Sequence, residues 1–179
     1  MRYRRTRSPG GSWFFTVVTR DRNPVFRKPV MVALLRHALR KVRGSLPFTI
    51  EAIVVLPDHL HCIWTLPAGD SDYSTRWRLV KSCFTRAGRD ATDYYSGSVW
   101  EHRYRECLIR DDSDFQAHVD YIHYNPVKHG YVNCPGSWPW SSFRRYVRLG
   151  VYDQDWCCGD RRDQRRAEQL ASLSKHMDE

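Results

Sequence analysis

No run in this 179-residue chain approaches the roughly 18 consecutive apolar residues that a membrane-spanning helix requires. The opening MRYRRTRSPGGSWFF has arginines but no apolar h-region and no small-residue cleavage site, so it does not read as a secretory signal. The six cysteines (Cys62, Cys83, Cys107, Cys134, Cys157, Cys158) form no CxxC pair. Adjacent Cys157 and Cys158 suit neither a zinc knuckle nor an ordinary disulfide framework, and all six are expected to be reduced thiols in a cytosol. No HExxH occurs, so a zincin protease is unsupported, and there is no internal repeat. Acids are almost missing from residues 1–45, where twelve Lys and Arg meet only Asp21.

What is present is aromatic and basic. Seven Trp, ten Tyr and seven Phe within a 41% apolar composition are enough for a real core. We expect one domain over residues 1–151, with a basic N-terminal arm, and a C-terminal tail over 152–179 that is a solvated helix or disordered. The formal charge is +9 and the pI near 9.5. Such a balance favours a polyanionic partner, nucleic acid above all, although basic faces are also simply solvated. Arginine dominates the N-terminal run and pairs bidentately with phosphate or guanine.

The hydrophobic pattern predicts a strand over Ser12–Thr19 and a helix over Val30–Arg43, stopped by Gly44. Phe48–Leu56 and His59–Leu66 read as a hairpin turned at Pro57-Asp58. A basic amphipathic helix is predicted over Ser74–Gly88, with Ser74 as N-cap. Residues 91–110 read as irregular. A further helix runs from Asp112 or Ser113 to about Tyr124, with Asp111, Asp112 and Asp114 near its positive end. Strand, helix, strand, strand, helix implies an α+β fold, a ferredoxin-like antiparallel sheet with helices on one face.

Two segments carry chemistry. In LPDHLHCIW, His59 and His61 fall on one face of a strand and Leu60 on the other. Two neutral imidazoles so placed can converge on a cation, given a third ligand from elsewhere. An isolated HxH is more often solvent-facing or hydrogen-bonded. In DYIHYNPVKHG, Tyr121 and Asn125 are i and i+4 on a helix. The Asn125 carbonyl oxygen is a hard ligand suited to Mg²⁺ or Mn²⁺. A tyrosine, with its ordinary pKa of about 10, becomes a credible nucleophile beside a polarised phosphate. The plainer reading makes Tyr121 packing and Asn125 a C-cap, with Pro126 ending or kinking the helix. Tyr124 is the rival nucleophile.

Taken in order from about Arg2 to Arg148, HLHCIW, VWEHRYRECLIRDDSDF, YIHYNPVKHGYV and WPWSSFRRYV resemble the REP-associated tyrosine transposases of the single-tyrosine HUH superfamily. The resemblance implies an HUH endonuclease fold and a metal-dependent enzyme that nicks and rejoins single-stranded DNA at REP-type palindromic hairpins. It implies Tyr121 as the nucleophile of a 5′-phosphotyrosine intermediate, and His59, His61 and Asn125 as ligands of Mg²⁺ or Mn²⁺. It further implies a monomer, with a dimer as the alternative, and a cytoplasmic, nucleoid-associated location. Cys107 departs from the family pattern, which often has a histidine there. Single-strand binding combines cations with stacking. We therefore expect Arg4, Arg5 and Arg7 near the DNA, and Arg76, Arg78, Lys81 and Arg86 along the hairpin backbone. Trp138 and Trp140 are more readily explained as packing than as base-stacking residues. A non-catalytic hairpin-binding protein with the same fold is the competing reading; the motif order disfavours a replication initiator or relaxase.

Overall fold

The computed structural model describes residues 10–91 and 98–159. Arg4, Arg5 and Arg7, and the chain beyond Gly159, lie outside the described residues. Four strands are present, β1 (Ser12–Val18), β2 (Thr49–Val55), β3 (His59–Thr65) and β4 (Arg105–Leu108). The longer helices are α1 (Pro29–Ser45), α2 (Tyr73–Ala91) and α3 (Asp112–Lys128), followed by the short α4 (Phe143–Arg148). The sheet order is β2-β3-β1-β4, and β1 runs antiparallel to both β3 and β4. With the βαββαβ element order, this is the expected ferredoxin-like α+β arrangement.

Two compact units separate among the described residues. One holds the chain up to Glu51 together with Val55–Ile109; the other holds Ala52–Val54 and the chain from Arg110 onward.

The first unit is built on a period of two. Trp13, Phe15 and Val17 of β1 pair with Trp64, Cys62 and Leu60 of β3, so these six side chains share one face. α2 covers that face with Tyr73 and Trp77. The Trp77 ring stacks on Trp64 at 4.1 Å and meets Phe15 edge-on at 5.5 Å. α1 packs on α2 so closely that a Cβ at Gly88 would lie 3.2 Å from Met31 Cε. Opposite-face residues of the same strands are Phe14, Thr16, His59, His61 and Ile63.

The N-terminus of α2 is organised by Asp72, not by Ser74 as expected: its carboxylate accepts the Thr75 N–H at 3.0 Å. Arg76 departs further from expectation. It is 2% exposed and clamps Asp70 with two guanidinium nitrogens, at 2.6 and 3.2 Å. It also donates to the carbonyls of Leu46, Pro47 and Asp72. Arg76 is thus a buried tie between the α1–β2 connection and the start of α2, and is removed from the residues expected along DNA. β4 also corrects the irregular reading of 91–110. Its short run has little period-two signal of its own and is held by pairing with Trp13–Thr16 of β1.

In the second unit, α3 starts at an Asp111 cap that accepts the Asp114 N–H at 2.9 Å. It continues past Pro126 to Lys128, so Asn125 is an internal helical residue and not its C-cap. Ser142 joins Ile53 of β2 through its backbone and its hydroxyl, which draws the middle of β2 into this unit. The chain after Val151 is not a solvated tail through residue 159. Tyr152 is 5% exposed and packs on Phe143 and Trp156 at 5.3 and 4.4 Å. Cys134 and Cys158 are joined as a disulfide, which corrects the expectation of six reduced thiols. Of the remaining cysteines, Cys62 and Cys157 are buried, Cys83 is half-buried and Cys107 is exposed.

Arg76→Met leaves Asp70 without its cation and three carbonyls without a donor. We expect a loss of about 2–3 kcal/mol in urea unfolding. The salt slope of DNA binding should stay unchanged, since the guanidinium is occupied within the fold.

Candidate functional site

His59 and His61 stand on β3 and are buried, at 4% and 1% exposure. Their rings meet edge to face with centroids 5.0 Å apart. Each ring is oriented by its Nδ1. His59 Nδ1 bonds Asp58 Oδ1 at 2.6 Å, and His61 Nδ1 bonds Thr16 Oγ1 at 2.9 Å. Phe14 stacks on His61 at 5.5 Å. Both rings therefore present Nε2 as the nitrogen suited to a cation, with a carboxylate and a hydroxyl behind them. Asp58 also bonds Arg22 at 3.4 Å. Burial pushes the Asp58 carboxyl up, but the hydrogen bond and charge of His59, with the Arg22 guanidinium, hold it below its usual value. Neither partner was picked out in advance. Asp58 was visible as the residue before the motif, whereas Thr16 is set opposite His61 only by the β1–β3 register.

Tyr121 and Asn125 lie one turn apart on α3, at 1% and 0% exposure. Among the described residues, neither Asn125 Oδ1 nor Nδ2 has a hydrogen-bond partner. A buried amide without a partner is costly unless something absent from the chain completes it. A hard cation at Oδ1 is the chemistry this atom suits. An imidazole Nε2 and an amide oxygen are each donors that a divalent ion accepts. Among the described residues, no group of three or more His, Cys, Asp and Glu is placed to hold a metal ion. The Lys128 ammonium lies 5.1 Å from the Tyr121 ring centroid, two turns along the same helix.

Polar contacts behind α3 tie it to the C-terminal segment. Asp120 accepts from Gln116 Nε2 at 2.7 Å and from the Tyr152 hydroxyl at 2.6 Å. His123 Nε2 bonds Ser142 Oγ at 2.8 Å, and the His123 ring lies 5.4 Å from that of Tyr152. Burial, reinforced by the charge of Arg145, pushes His123 down to about 3, so it is neutral at physiological pH.

The α2 cations fare unequally. Arg78 and Arg86 are exposed. Lys81 is half-buried: its ammonium donates to the Glu101 carbonyl at 3.1 Å and lies 5.2 Å from the Tyr104 ring. Burial lowers its pKa to about 8, against the opposing charge of Glu101. Lys81, Arg86, Arg89 and Trp100 line one open groove. Among the described residues, no helix is long and apolar enough to cross a membrane.

These arrangements coincide with close sequence similarity. The chain is 46% identical over 170 residues to the REP-associated tyrosine transposase of Escherichia coli (strain K12), covering 95% of this chain and 98% of that protein. The chain belongs to the REP-associated tyrosine transposases. A Haemophilus influenzae relative is 40% identical over 162 residues, covering 86% of this chain and 92% of its own. No family model matches the chain. A solved REP-associated tyrosine transposase bound to a REP hairpin superposes with a TM-score of 0.80 at 47% identity, covering 89% of this chain and 92% of that one. Membership assigns this transposase a DNA-processing enzyme class.

The His123 shift has a defined sign. Between about pH 6.5 and 3 the unfolded chain takes up a proton that folded His123 refuses, so folding stability falls as pH falls through that window. One such group contributes at most about 1.4 kcal/mol per pH unit. Urea midpoints measured across the window should show a shallower pH dependence for His123→Phe than for wild type.

Proposed function

We propose that this transposase nicks and rejoins single-stranded DNA at REP-type hairpins through Tyr121, with Mg²⁺ or Mn²⁺ held by His59, His61 and Asn125. The observation that carries the metal assignment is the buried, unpartnered Asn125 amide, one helical turn from Tyr121. The second support is family: a homologous structure of high similarity is described as bound to a REP hairpin.

The chemistry follows from the side chains. Tyr121 Oη forms a bond to the DNA phosphorus as the bond to the 3′ oxygen breaks. The phenol loses its proton and the leaving 3′ oxygen gains one. The product is a 5′-phosphotyrosine and a free 3′-hydroxyl. Phosphodiester for phosphodiester exchange is near balance, so the same hydroxyl can reverse the attack and join strands without external energy. The divalent ion, when bound, neutralises charge on the phosphate and the leaving oxygen. Asp58 and Thr16 hold the imidazoles in their ligating orientation. The Lys128 cation favours the electron-rich form of the Tyr121 ring. Exposed Arg78 and Arg86 on α2 supply phosphate contacts.

The deciding experiment incubates labelled hairpin oligonucleotides of varied flanks with the protein, in Mn²⁺ or in EDTA, and resolves covalent adducts on denaturing gels. A metal-dependent adduct mapping to Tyr121 is expected. Tyr121→Phe should abolish it and leave hairpin affinity nearly unchanged, because only the nucleophilic oxygen is lost. An adduct surviving in Tyr121→Phe would move the nucleophile to Tyr124. Binding with no adduct under any metal would leave a hairpin-binding protein without catalysis. Calorimetric titration with Mn²⁺ tests the ligand set separately: Asp58→Asn should weaken binding roughly 10- to 100-fold, and His59→Ala with His61→Ala should abolish it.

A further inference from the structure

In the first unit, β1 leads into a turn whose backbone is strained at an arginine. Asp21 and Arg22 both stand at φ +53, in the left-handed region that L side chains rarely adopt. Aspartate is among the residues that tolerate this region; arginine is not. The surroundings enforce the conformation. The Thr19 N–H donates to the Asp58 carbonyl at 2.9 Å, and the Thr19 hydroxyl lies 2.7 Å from the carbonyls of Asp58 and Asn23. The Arg22 N–H closes back on the Thr19 carbonyl at 3.1 Å. The Asp21 N–H is held by Glu101 Oε1 at 3.0 Å.

Core packing does not account for the strain, because the Asp21 and Arg22 side chains are 88% and 62% exposed. What the turn achieves is to bring the Arg22 guanidinium to Asp58. Arg22 Nη1 donates to Asp58 Oδ2 at 3.4 Å, while Oδ1 of the same carboxylate holds His59 Nδ1 at 2.6 Å. One carboxylate thus separates the arginine from an imidazole of the candidate site. A guanidinium has five N–H donors in a planar fork, and one long contact leaves most of that fork to a second acceptor. Two oxygens on one centre, as in a phosphodiester, match it best. The described residues of the first unit carry fifteen Lys and Arg against eight Asp and Glu, a balance that favours an anionic occupant on this unit. Backbone strain of this kind is retained where the position of the side chain matters.

We propose that Arg22 binds a backbone phosphate of the single strand beside the His59–His61 pair, with Asp58 fixing the guanidinium from behind. This role presupposes the single-strand DNA reading above, but neither cleavage nor a bound metal. A contact to phosphate positions the strand without reading its sequence, so the site depends on charge at one phosphate and not on base identity.

The test measures equilibrium binding of Tyr121→Phe protein in EDTA to a hairpin with single-stranded flanks, so that no cleavage intervenes. Adding Arg22→Met should weaken binding roughly 10-fold, the share of one charge-assisted hydrogen bond. It should also reduce the slope of log affinity against log salt by about 0.7, the share of one single-strand phosphate. Arg22→Lys should keep the slope and part of the affinity. Flank phosphates are then replaced one at a time by neutral methylphosphonate. At one position the replacement should weaken binding by the protein with Arg22 and leave binding by Arg22→Met unchanged. The side chain is exposed, so the variants should fold, with thermal melts as the control. Arg22→Gly, which removes the left-handed strain along with the side chain, should melt no lower than Arg22→Met. An Arg22→Met loss that no methylphosphonate position removes overturns the proposal, as does an unchanged salt slope or failure to bind hairpin DNA. A loss of Mn²⁺ affinity matching that of Asp58→Asn, with no coupled phosphate, would make Arg22 a support of Asp58 alone and also overturns it. Coupling at one phosphate in a protein whose wild type forms no adduct would uphold the phosphate contact and reject the nuclease reading.

Discussion

The antiparallel pairing of β1 with β3 is the constraint on which the rest depends. Its register puts Phe15 opposite Cys62 and Thr16 opposite His61, so a single ladder builds both the aromatic core and the support for the imidazoles. A shift by one residue would send the aromatic set to the other face and bury His59 and His61 against α2. The cost of that exchange, in buried apolar area lost and polar groups left unsatisfied, is what pins the histidines in place. The alternation that makes Leu60, Cys62 and Trp64 core residues is therefore also what makes His59 and His61 neighbours.

α3 solves a different problem. It carries a tyrosine and an amide on one face, while Asp120 and His123 take partners from the C-terminal segment. Tyr152 and Ser142 serve Asp120 and His123, and neutral His123 is stable there because no positive charge has to be buried. Asn125 stands apart from that satisfied network with no partner for either of its side-chain atoms among the described residues. A buried amide in that state suits a ligand from outside the chain. The Cys134–Cys158 link closes the same segment covalently.

Charge is distributed by task rather than by composition. Arg76 and Arg78 are two residues apart on α2, yet one is buried in five hydrogen bonds and the other faces water. Lys81 lies between these extremes, its ammonium lodged between a carbonyl and an aromatic ring. Counting basic residues along the helix cannot separate these roles, because helical periodicity locates a face without stating which loop carbonyls and carboxylates meet it.

The sequence by itself determined the βαββαβ order, the shared face of His59 and His61 and that of Tyr121 and Asn125. These are consequences of periods of 2 and 3.6 within short segments, and so are local. It also determined family membership, through motifs that lie in fixed order along nearly the whole chain. Tertiary structure alone decided that Arg76 is structural and that Thr16 supports His61. It also decided that Arg105–Leu108 is an edge strand, that Tyr152 is buried and that Cys134 meets Cys158. Each of those depends on residues far apart in the chain coming into register, and the free energy that brings them together comes from the packed core rather than from any local preference.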